Sequence, residues 1–150
     1  MTKSLTAKEH VDECARCHSR REQITLAYNH EGTYYDHYFP QVLTEGVYHA
    51  DGQIQDEVYV YGSFLQSKMY MNNVKCTDCH DAHSMELKMV GNALCGQCHE
   101  PKKYDTELHT FHKENTEGSQ CINCHMTGKY YMVNDFRRDH SFRIPRPDLT

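Results

Sequence analysis

The amino-acid sequence predicts a small, mainly α-helical protein with much irregular coil, folded as a single domain over residues 1–150. One supporting observation is a five-residue pattern, C-x-x-C-H, that occurs four times; residues spaced i, i+3 and i+4 share one face of a helical turn. The other is a low apolar content: 38% of the residues are hydrophobic and the mean hydropathy is -0.83. This is little for an interior made of side chains alone, so the chain needs another source of apolar surface.

The four copies of the pattern occupy residues 14–18, 76–80, 95–99 and 121–125, and together they use all 8 cysteines. C-x-x-C-H is the attachment pattern of a c-type haem, in which two thiols bond the porphyrin and the imidazole binds iron. We therefore predict four covalent haems c, whose macrocycles form the interior and leave the apoprotein largely unfolded. The predicted attachment residues are Cys14, Cys17, Cys76, Cys79, Cys95, Cys98, Cys121 and Cys124. The predicted proximal iron ligands are His18, His80, His99 and His125.

Three other uses of C-x-x-C compete with this interpretation. A structural zinc site takes four ligands and does not require a histidine after each cysteine pair. A redox dithiol is a single motif after a strand, and a disulfide framework also ignores the histidine. Histidine makes up 12 of 150 residues, so its chance placement after all four pairs has a probability of about 1 in 25,000. The histidines therefore favour haem over the alternatives.

Cap and turn residues predict the local elements. Thr6 and Glu9 match a capping box, which predicts a helix over residues 7–20. An Asp-Gly turn predicts one short β-hairpin near residues 47–61. Candidate cap and end residues predict further short helices over residues 63–70, 84–91 and 106–112.

Each haem iron has a second axial position, on the distal side of the porphyrin, that needs its own ligand. Histidine is favoured over methionine there, which predicts low-potential, low-spin haems with two imidazoles each. Eight histidines lie outside the motifs: His10, His30, His37, His49, His83, His109, His112 and His140. The predicted distal ligands are His49, His83, His112 and His140, with His109 and His37 in reserve.

Spacing limits some of these assignments. His83 follows His80 by three residues and lies on the wrong side of that haem plane, so it serves a neighbouring haem or none. His109 and His112 are predicted to share one helical face, so that one binds iron and the other lies behind it. Asp139 is predicted to orient His140 through the ring N–H.

The net charge and the hydropathy of the chain limit its binding partners and its location in the cell. The formal net charge is -5, and four ferric haems with their propionates would bring it to about -9, which argues against nucleic acid and anionic membranes. Four arginines at positions 137, 138, 143 and 146 either pair with propionates or form a solvated basic tail. No apolar run is long enough to span a membrane. Haem attachment to this motif occurs outside the cytoplasmic membrane, so we expect a periplasmic or extracellular protein whose export signal was removed.

Several stretches carry a resemblance to a known family: CTDCHDAHS, LCGQCHEP, YDTELHTFHKE, CINCHM and RRDHSFRIPRPDL. They resemble the tetrahaem cytochrome portion of multihaem cytochromes c that often carry tetratricopeptide repeats downstream. That family is similar in turn to the haem-packing group of pentahaem nitrite reductase and hydroxylamine oxidoreductase. The resemblance implies haems with two histidine ligands stacked in close pairs, and it implies that His83 and His140 are ligands.

Two classes of function follow from these expectations. The first is an electron-transfer protein without catalytic residues, which passes electrons to redox partner proteins or through copies stacked in an extracellular conducting filament. The second is an oxidoreductase acting on nitrite, hydroxylamine or a sulfur oxyanion, which needs one open iron. The related nitrite reductases mark that iron with lysine in place of the motif histidine, and none of the four motifs has this lysine. The sequence therefore favours electron transfer.

Overall fold

The computed structural model describes residues 5–26 and 31–146, which form short helices and coil with two small antiparallel strand pairs. The helices are α1 Ala7–His18, α2 Tyr34–His37, α3 Tyr61–Phe64, α4 Lys68–Met71, α5 Cys76–Cys79, α6 Ala93–Gly96, α7 Pro101–Tyr104, α8 Glu107–Thr110 and α9 Cys121–His125. A 3₁₀ turn spans Glu117–Ser119. The strands are β1 Arg21–Gln23, β2 Tyr38–Pro40, β3 Gly128–Tyr131 and β4 Asp135–Arg138. Except for α1, each helix is about one turn long, so the predicted mixture of helix and coil is confirmed.

Helix α1 begins at the predicted capping box. The Thr6 hydroxyl accepts a hydrogen bond from the Glu9 N–H (3.2 Å), and the Glu9 carboxylate accepts from the Thr6 N–H (2.8 Å). These bonds satisfy backbone donors that have no partner inside the helix. The helix buries Val11 and Ala15 on one face and ends at His18, within the predicted range.

The first half of the chain has a side-chain core of its own. Helix α1 packs against α2 and α3, and strand β1 pairs with β2 in the register Arg21 with Pro40. The core residues are Val11, Ala15, Tyr34, Tyr38, Tyr61 and Phe64. A smaller cluster of Val47, Tyr48 and Val58 lies beside it. This corrects the expectation that haem alone forms the interior, since here tyrosine rings supply apolar area that the mean hydropathy does not count as apolar.

The second half of the chain has almost no buried apolar side chains among its described residues. Among the described residues from 76 onward, Tyr131 is the one buried hydrophobic side chain. Several large apolar side chains lie open instead, with exposed fractions from 41% to 91%: Leu87, Met89, Val90, Leu108 and Phe111. This half contains three of the four motifs, and its apolar side chains fit the expectation that macrocycles cover them.

The hairpin predicted near residues 47–61 is present only as its turn. The His49 N–H donates to the Gln53 carbonyl (2.8 Å), and Tyr48 and Ile54 form a single antiparallel bridge. The apolar run that follows is not a strand, because Tyr59 has a left-handed backbone (φ 57°) that interrupts extended geometry. The side chain of Val58 packs into the small cluster beside the core.

Two of the predicted helices are wrong. The segment 63–70 divides into α3 and α4 because Ser67 is extended and its hydroxyl caps Tyr70 (3.0 Å). The segment 84–91 is a tight loop, because the Asp81 carboxylate accepts from the N–H groups of both His83 and Ser84 (2.9 Å each). In both places a short polar side chain bonds the backbone in a non-helical conformation.

The hairpin β3–β4 is a strand pair that sequence reasoning missed. Its loop contains Met132 (φ 47°) and Val133 (φ 73°), both left-handed, where turn rules favour glycine or asparagine. Neither Met132 nor Val133 signals a turn, so Asn134 is the one turn-forming residue in the loop, and alone it does not indicate a hairpin.

Candidate haem sites

Each C-x-x-C-H motif lies on or beside one helical turn. The first occupies the end of α1 and the fourth coincides with α9. In the second and third, the histidine N–H closes the turn by donating to the carbonyl of the first cysteine, His80 to Cys76 (2.9 Å) and His99 to Cys95 (3.0 Å). All eight thiols are free and are half-buried or exposed. Both sulfurs and the imidazole are thus presented from one short turn, as covalent haem attachment requires.

The thiols do not assemble a zinc site within the described residues. There, the one group of three or more candidate ligands is His10, Cys14 and Cys76, whose ligand atoms lie within 4.8 Å of one another. This group mixes cysteines from two motifs and omits the histidine of each. A structural zinc ion takes four ligands, so the geometry favours haem attachment.

Cysteines of consecutive motifs meet one another. The Cys14 and Cys76 sulfurs lie within 4.8 Å of one another, and their interaction lowers the pKa of Cys14 and raises that of Cys76. Burial and the neighbouring Cys121 raise the pKa of the Cys95 thiol to about 11. These contacts join the first motif to the second and the third motif to the fourth.

The second and third motifs are also near one another. The pKa of the Cys79 thiol is raised mainly by burial, and further by the electrostatic effects of Asp78 and Cys98. Consecutive motifs are therefore close enough to influence one another's thiols, from the first motif to the fourth.

The histidine of the second motif faces a histidine from the C-terminal tail. The ring centroids of His80 and His140 are 6.4 Å apart, with 25° between the ring planes. Burial lowers the pKa of His140, which keeps its imidazole neutral and available to a metal. His140 also packs against Phe142, which in turn packs against Phe64 of the first-half core.

The histidine of the fourth motif faces a histidine of α8. The ring centroids of His125 and His109 are 6.2 Å apart, with 9° between the planes. The Tyr104 ring stands edge-on to His109 (5.4 Å) and to the motif histidine His99 (6.1 Å). Sequence reasoning missed Tyr104, which connects the third and fourth motifs; nothing in its local sequence marks it.

Three of these rings are held through their Nδ1 atoms. A carbonyl can only accept, so the Nδ1–H groups donate: His80 to Met85 (3.1 Å), His140 to Arg138 (2.9 Å) and His125 to Arg143 (2.8 Å). The Nε2 atom of each ring is left with a lone pair, which is the arrangement found in metal-ligating histidines. The residues thus fit covalent haem with axial imidazoles.

Asp139 does not orient the His140 ring as predicted. Its carboxylate accepts from the backbone N–H groups of Ser141 (2.7 Å) and Ile54 (3.3 Å) instead. The backbone carbonyl of Arg138 orients the His140 ring instead. The sequence cannot predict this bond, because every residue carries a carbonyl.

The other candidate distal ligands lie apart from these ring pairs. His49 is exposed on the rim of an open cleft of about 600 Å³. His83 is exposed in the loop after the second motif. The His112 ring packs against the backbone of Gly118, where an added Cβ would lie 2.6 Å from the ring. Both ring nitrogens of His37 are hydrogen-bonded, to the Thr25 hydroxyl (2.9 Å) and the Glu31 carbonyl (2.7 Å).

His109 and His112 do not share a helical face. Helix α8 ends at Thr110, and Phe111 is left-handed (φ 59°), so the chain turns away before His112. Only His109 is helical, and this places its ring opposite His125.

The arginines of the C-terminal segment bond protein groups. Arg137 pairs with Glu57 and Asp135 (2.6 Å each). Arg138 donates to the carbonyls of Ile122 and Met126 and to the side chain of Asn123. Arg143 donates to Gln66 (3.0 Å). For these three, a solvated basic tail does not describe the structure, because their side chains tie the C-terminal segment to the rest of the chain.

Comparison with known proteins finds one family. A model described as a doubled CXXCH motif matches residues 70–104, which contain the second and third motifs. Neither the curated proteins nor the solved structures contain a match to the chain. In the part of the chain that the structure describes, no helix is long and apolar enough to cross a membrane. The chain therefore contains an element of the multihaem c-type cytochrome class, whose motifs indicate covalently bound haem and an electron-transfer role.

Proposed function

We propose that the chain is a tetrahaem c-type cytochrome that carries electrons between redox partner proteins. The main support for this proposal is that two imidazoles face one another at the second motif and two more at the fourth motif. Two metal–imidazole bonds of about 2 Å, plus two ring radii of about 1 Å, put axial ring centroids about 6 Å apart. The measured separations of 6.4 Å and 6.2 Å agree with this sum.

The proposed axial pairs are His80 with His140 and His125 with His109. Hydrogen bonds from Nδ1 of His80, His125 and His140 to backbone carbonyls support this assignment, because they fix the ring orientation and leave Nε2 free to bind a metal. His18 and His99 are the proposed proximal ligands of the first and third haems. His49 and His83 remain candidates for the distal ligands there, and His112 is a less favourable candidate because its ring packs on Gly118.

The proposed route of electrons runs through the haems in the order of their motifs. Bound haem supplies a one-electron couple at each motif, and its potential depends on axial ligands, hydrogen bonds and burial. The contacts of Cys14 with Cys76 and of Cys95 with Cys121 support close pairs at the two ends. Tyr104 lies between ligands of the third and fourth haems.

The proposed location is extracytoplasmic, where c-type haem is attached, in the periplasm or beyond the cell surface. The proposed partners are redox proteins that meet a negatively charged surface, given the formal charge of -5 before propionates are counted. We further propose that copies of the protein stack into a conducting filament. Electron microscopy of the purified holoprotein tests this.

Two measurements on the purified holoprotein test the electron-transfer proposal. The intact mass should exceed that of the polypeptide by four haems. The ferric electron paramagnetic resonance (EPR) spectrum should contain only low-spin signals, because two imidazoles on every iron leave no position for substrate. Fewer than four haems would refute the tetrahaem assignment, and a high-spin signal would favour an enzyme with one open iron.

A further inference from the structure

The Tyr104 ring contacts the histidine of the third motif and also the histidine that faces the fourth motif. Its plane is nearly perpendicular to that of His99 (89°, ring centroids 6.1 Å apart) and to that of His109 (83°, 5.4 Å). Perpendicular packing is favourable for aromatic rings, because the positive edge of one ring meets the negative face of the other. One tyrosine thus packs against histidines that belong to two successive haem sites.

The His109 ring is held differently from the other three histidines that face one another in pairs. The rings of His80, His125 and His140 each donate Nδ1–H to a backbone carbonyl. Within the described residues the His109 ring makes no hydrogen bond, and the rings that it contacts are those of Tyr104 and His125. Since His125 would lie across the metal from His109, Tyr104 is the group that can set the orientation of the His109 ring.

Local contacts fix the position of Tyr104 itself. Tyr104 ends helix α7, which begins at Pro101 and closes with a hydrogen bond from the Asp105 N–H to the Pro101 carbonyl (2.8 Å). Pro101 approaches Gly96 of helix α6 so closely that an added Cβ would lie 3.2 Å from the proline ring. The Lys103 ammonium lies 4.9 Å from the Tyr104 ring centroid, a cation–π contact. The ring is therefore held in place although 37% of the residue is exposed.

The Asn92 side chain joins this segment to both motifs. Asn92 lies at the N-cap position of α6 and donates to the Asp105 carboxylate (2.7 Å) and to the Ser119 carbonyl (2.9 Å). Its oxygen accepts from the N–H of Cys121, the first residue of the fourth motif (2.9 Å). One amide group thus sets the spacing between the third motif, the fourth motif and the residue that follows Tyr104.

We infer that Tyr104 is a positioning residue, whose ring holds the His109 imidazole nearly parallel to that of His125 and places it beside the third haem site. The inference rests on the proposed function, because it concerns axial ligands. The angle of 9° between the His109 and His125 planes is the arrangement that Tyr104 maintains. The planes of axial imidazoles orient the half-filled iron orbital of a low-spin ferric haem. Tyr104 therefore aligns the orbital that accepts the electron at the fourth haem.

The orientation of axial imidazoles has a direct spectroscopic signature. Parallel planes give a low-spin ferric haem a rhombic EPR spectrum, whereas planes near a right angle give a single signal at a much larger g value. The angles of 9° at the fourth motif and 25° at the second therefore predict rhombic signals in the wild type. A wild-type spectrum that contains only large-g signals would overturn the inference without any variant.

The test compares the ferric EPR spectra of purified holoprotein variants. Tyr104→Leu removes the ring and should move one rhombic signal to a larger g value, because the His109 plane is released. Tyr104→Phe keeps the ring and should reproduce the wild-type spectrum. Tyr130→Leu is the matched control, since Tyr130 is exposed and packs against Phe136 rather than against a histidine. This control should leave every signal unchanged.

An unchanged spectrum in Tyr104→Leu would overturn the inference, as would an equal shift in Tyr104→Phe or in Tyr130→Leu. A high-spin signal confined to Tyr104→Leu would support it, because His109 then no longer reaches the metal. Intact mass counts the haems in each protein, and Tyr104→Met replaces Tyr104→Leu if that variant lacks one. Fewer than four haems or a high-spin signal in the wild type refutes the proposed function. A low-spin wild type with four haems and an unchanged Tyr104→Leu refutes only the role of Tyr104.

Discussion

Replacing Arg138 by methionine should loosen helix α9, which contains the fourth motif, from the C-terminal hairpin. The Arg138 guanidinium leaves strand β4 and closes the end of α9 with hydrogen bonds of 3.0 Å to the carbonyls of Ile122 and Met126. A third bond of 3.0 Å reaches the Asn123 side chain. Methionine keeps the apolar stem but none of the donors, so the substitution isolates the polar contribution.

The size of the effect follows from these contacts. Hydrogen bonds to a charged group contribute about 1.5–3 kcal/mol each, but the three share one donor group and water replaces part of them at this half-buried site. We expect a loss of about 2–4 kcal/mol in the free energy of unfolding, from a total of about 5–15 kcal/mol. The free energy of unfolding of a small protein falls by about 2 kcal/mol per molar urea, so the unfolding midpoint should fall by about 1–2 M.

The assay is urea unfolding of the holoprotein, followed by far-ultraviolet circular dichroism and by the haem absorption band. Arg20→Met serves as the matched control, because Arg20 forms an exposed ion pair with Asp56 at 3.3 Å that contributes little. Its midpoint should match the wild type. Equal shifts in the two variants, or no shift in Arg138→Met, would refute the inference that Arg138 anchors the fourth motif.

The remaining predictions concern ligands, strain and the apoprotein. His109→Ala should produce one high-spin ferric haem by EPR while His112→Ala stays low-spin, because of these two histidines His109 is the one that faces a motif histidine; the reverse result would reject the proposed ligand. Val133→Gly should stabilise the holoprotein by about 1 kcal/mol in urea unfolding, since it relieves a left-handed backbone, and a lower midpoint would contradict this. In protein made without haem, hydrogen exchange should show protected amides within residues 5–71 and rapid exchange over residues 76–146; uniform exchange would oppose the divided core.

Local chemistry explains what could be predicted from the sequence. The capping box at Thr6 and Glu9 and the helical turn at each motif depend on groups within a few residues of one another. The same is true of the cofactor class, because both thiols and the imidazole come from five consecutive residues. These features need no knowledge of the rest of the chain.

Contacts between distant segments escape such reasoning. The sequence contains eight histidines outside the motifs, and spacing does not determine which of them face a motif histidine. His109 faces His125 because a left-handed Phe111 ends α8, and His140 faces His80 because the tail folds back over the second motif. The bonds of Arg138 and the side-chain core of the first half also join residues far apart in the chain.

By itself, then, the sequence determined the four C-x-x-C-H motifs and the class of cofactor that they indicate, because both thiols and the imidazole lie within five consecutive residues. The tertiary structure decided which imidazoles face one another and where a side-chain core forms. The physical reason is that these properties depend on distances between segments separated by 16 residues, as for His109 and His125, or by 60, as for His80 and His140. Such distances are set only when the whole chain packs.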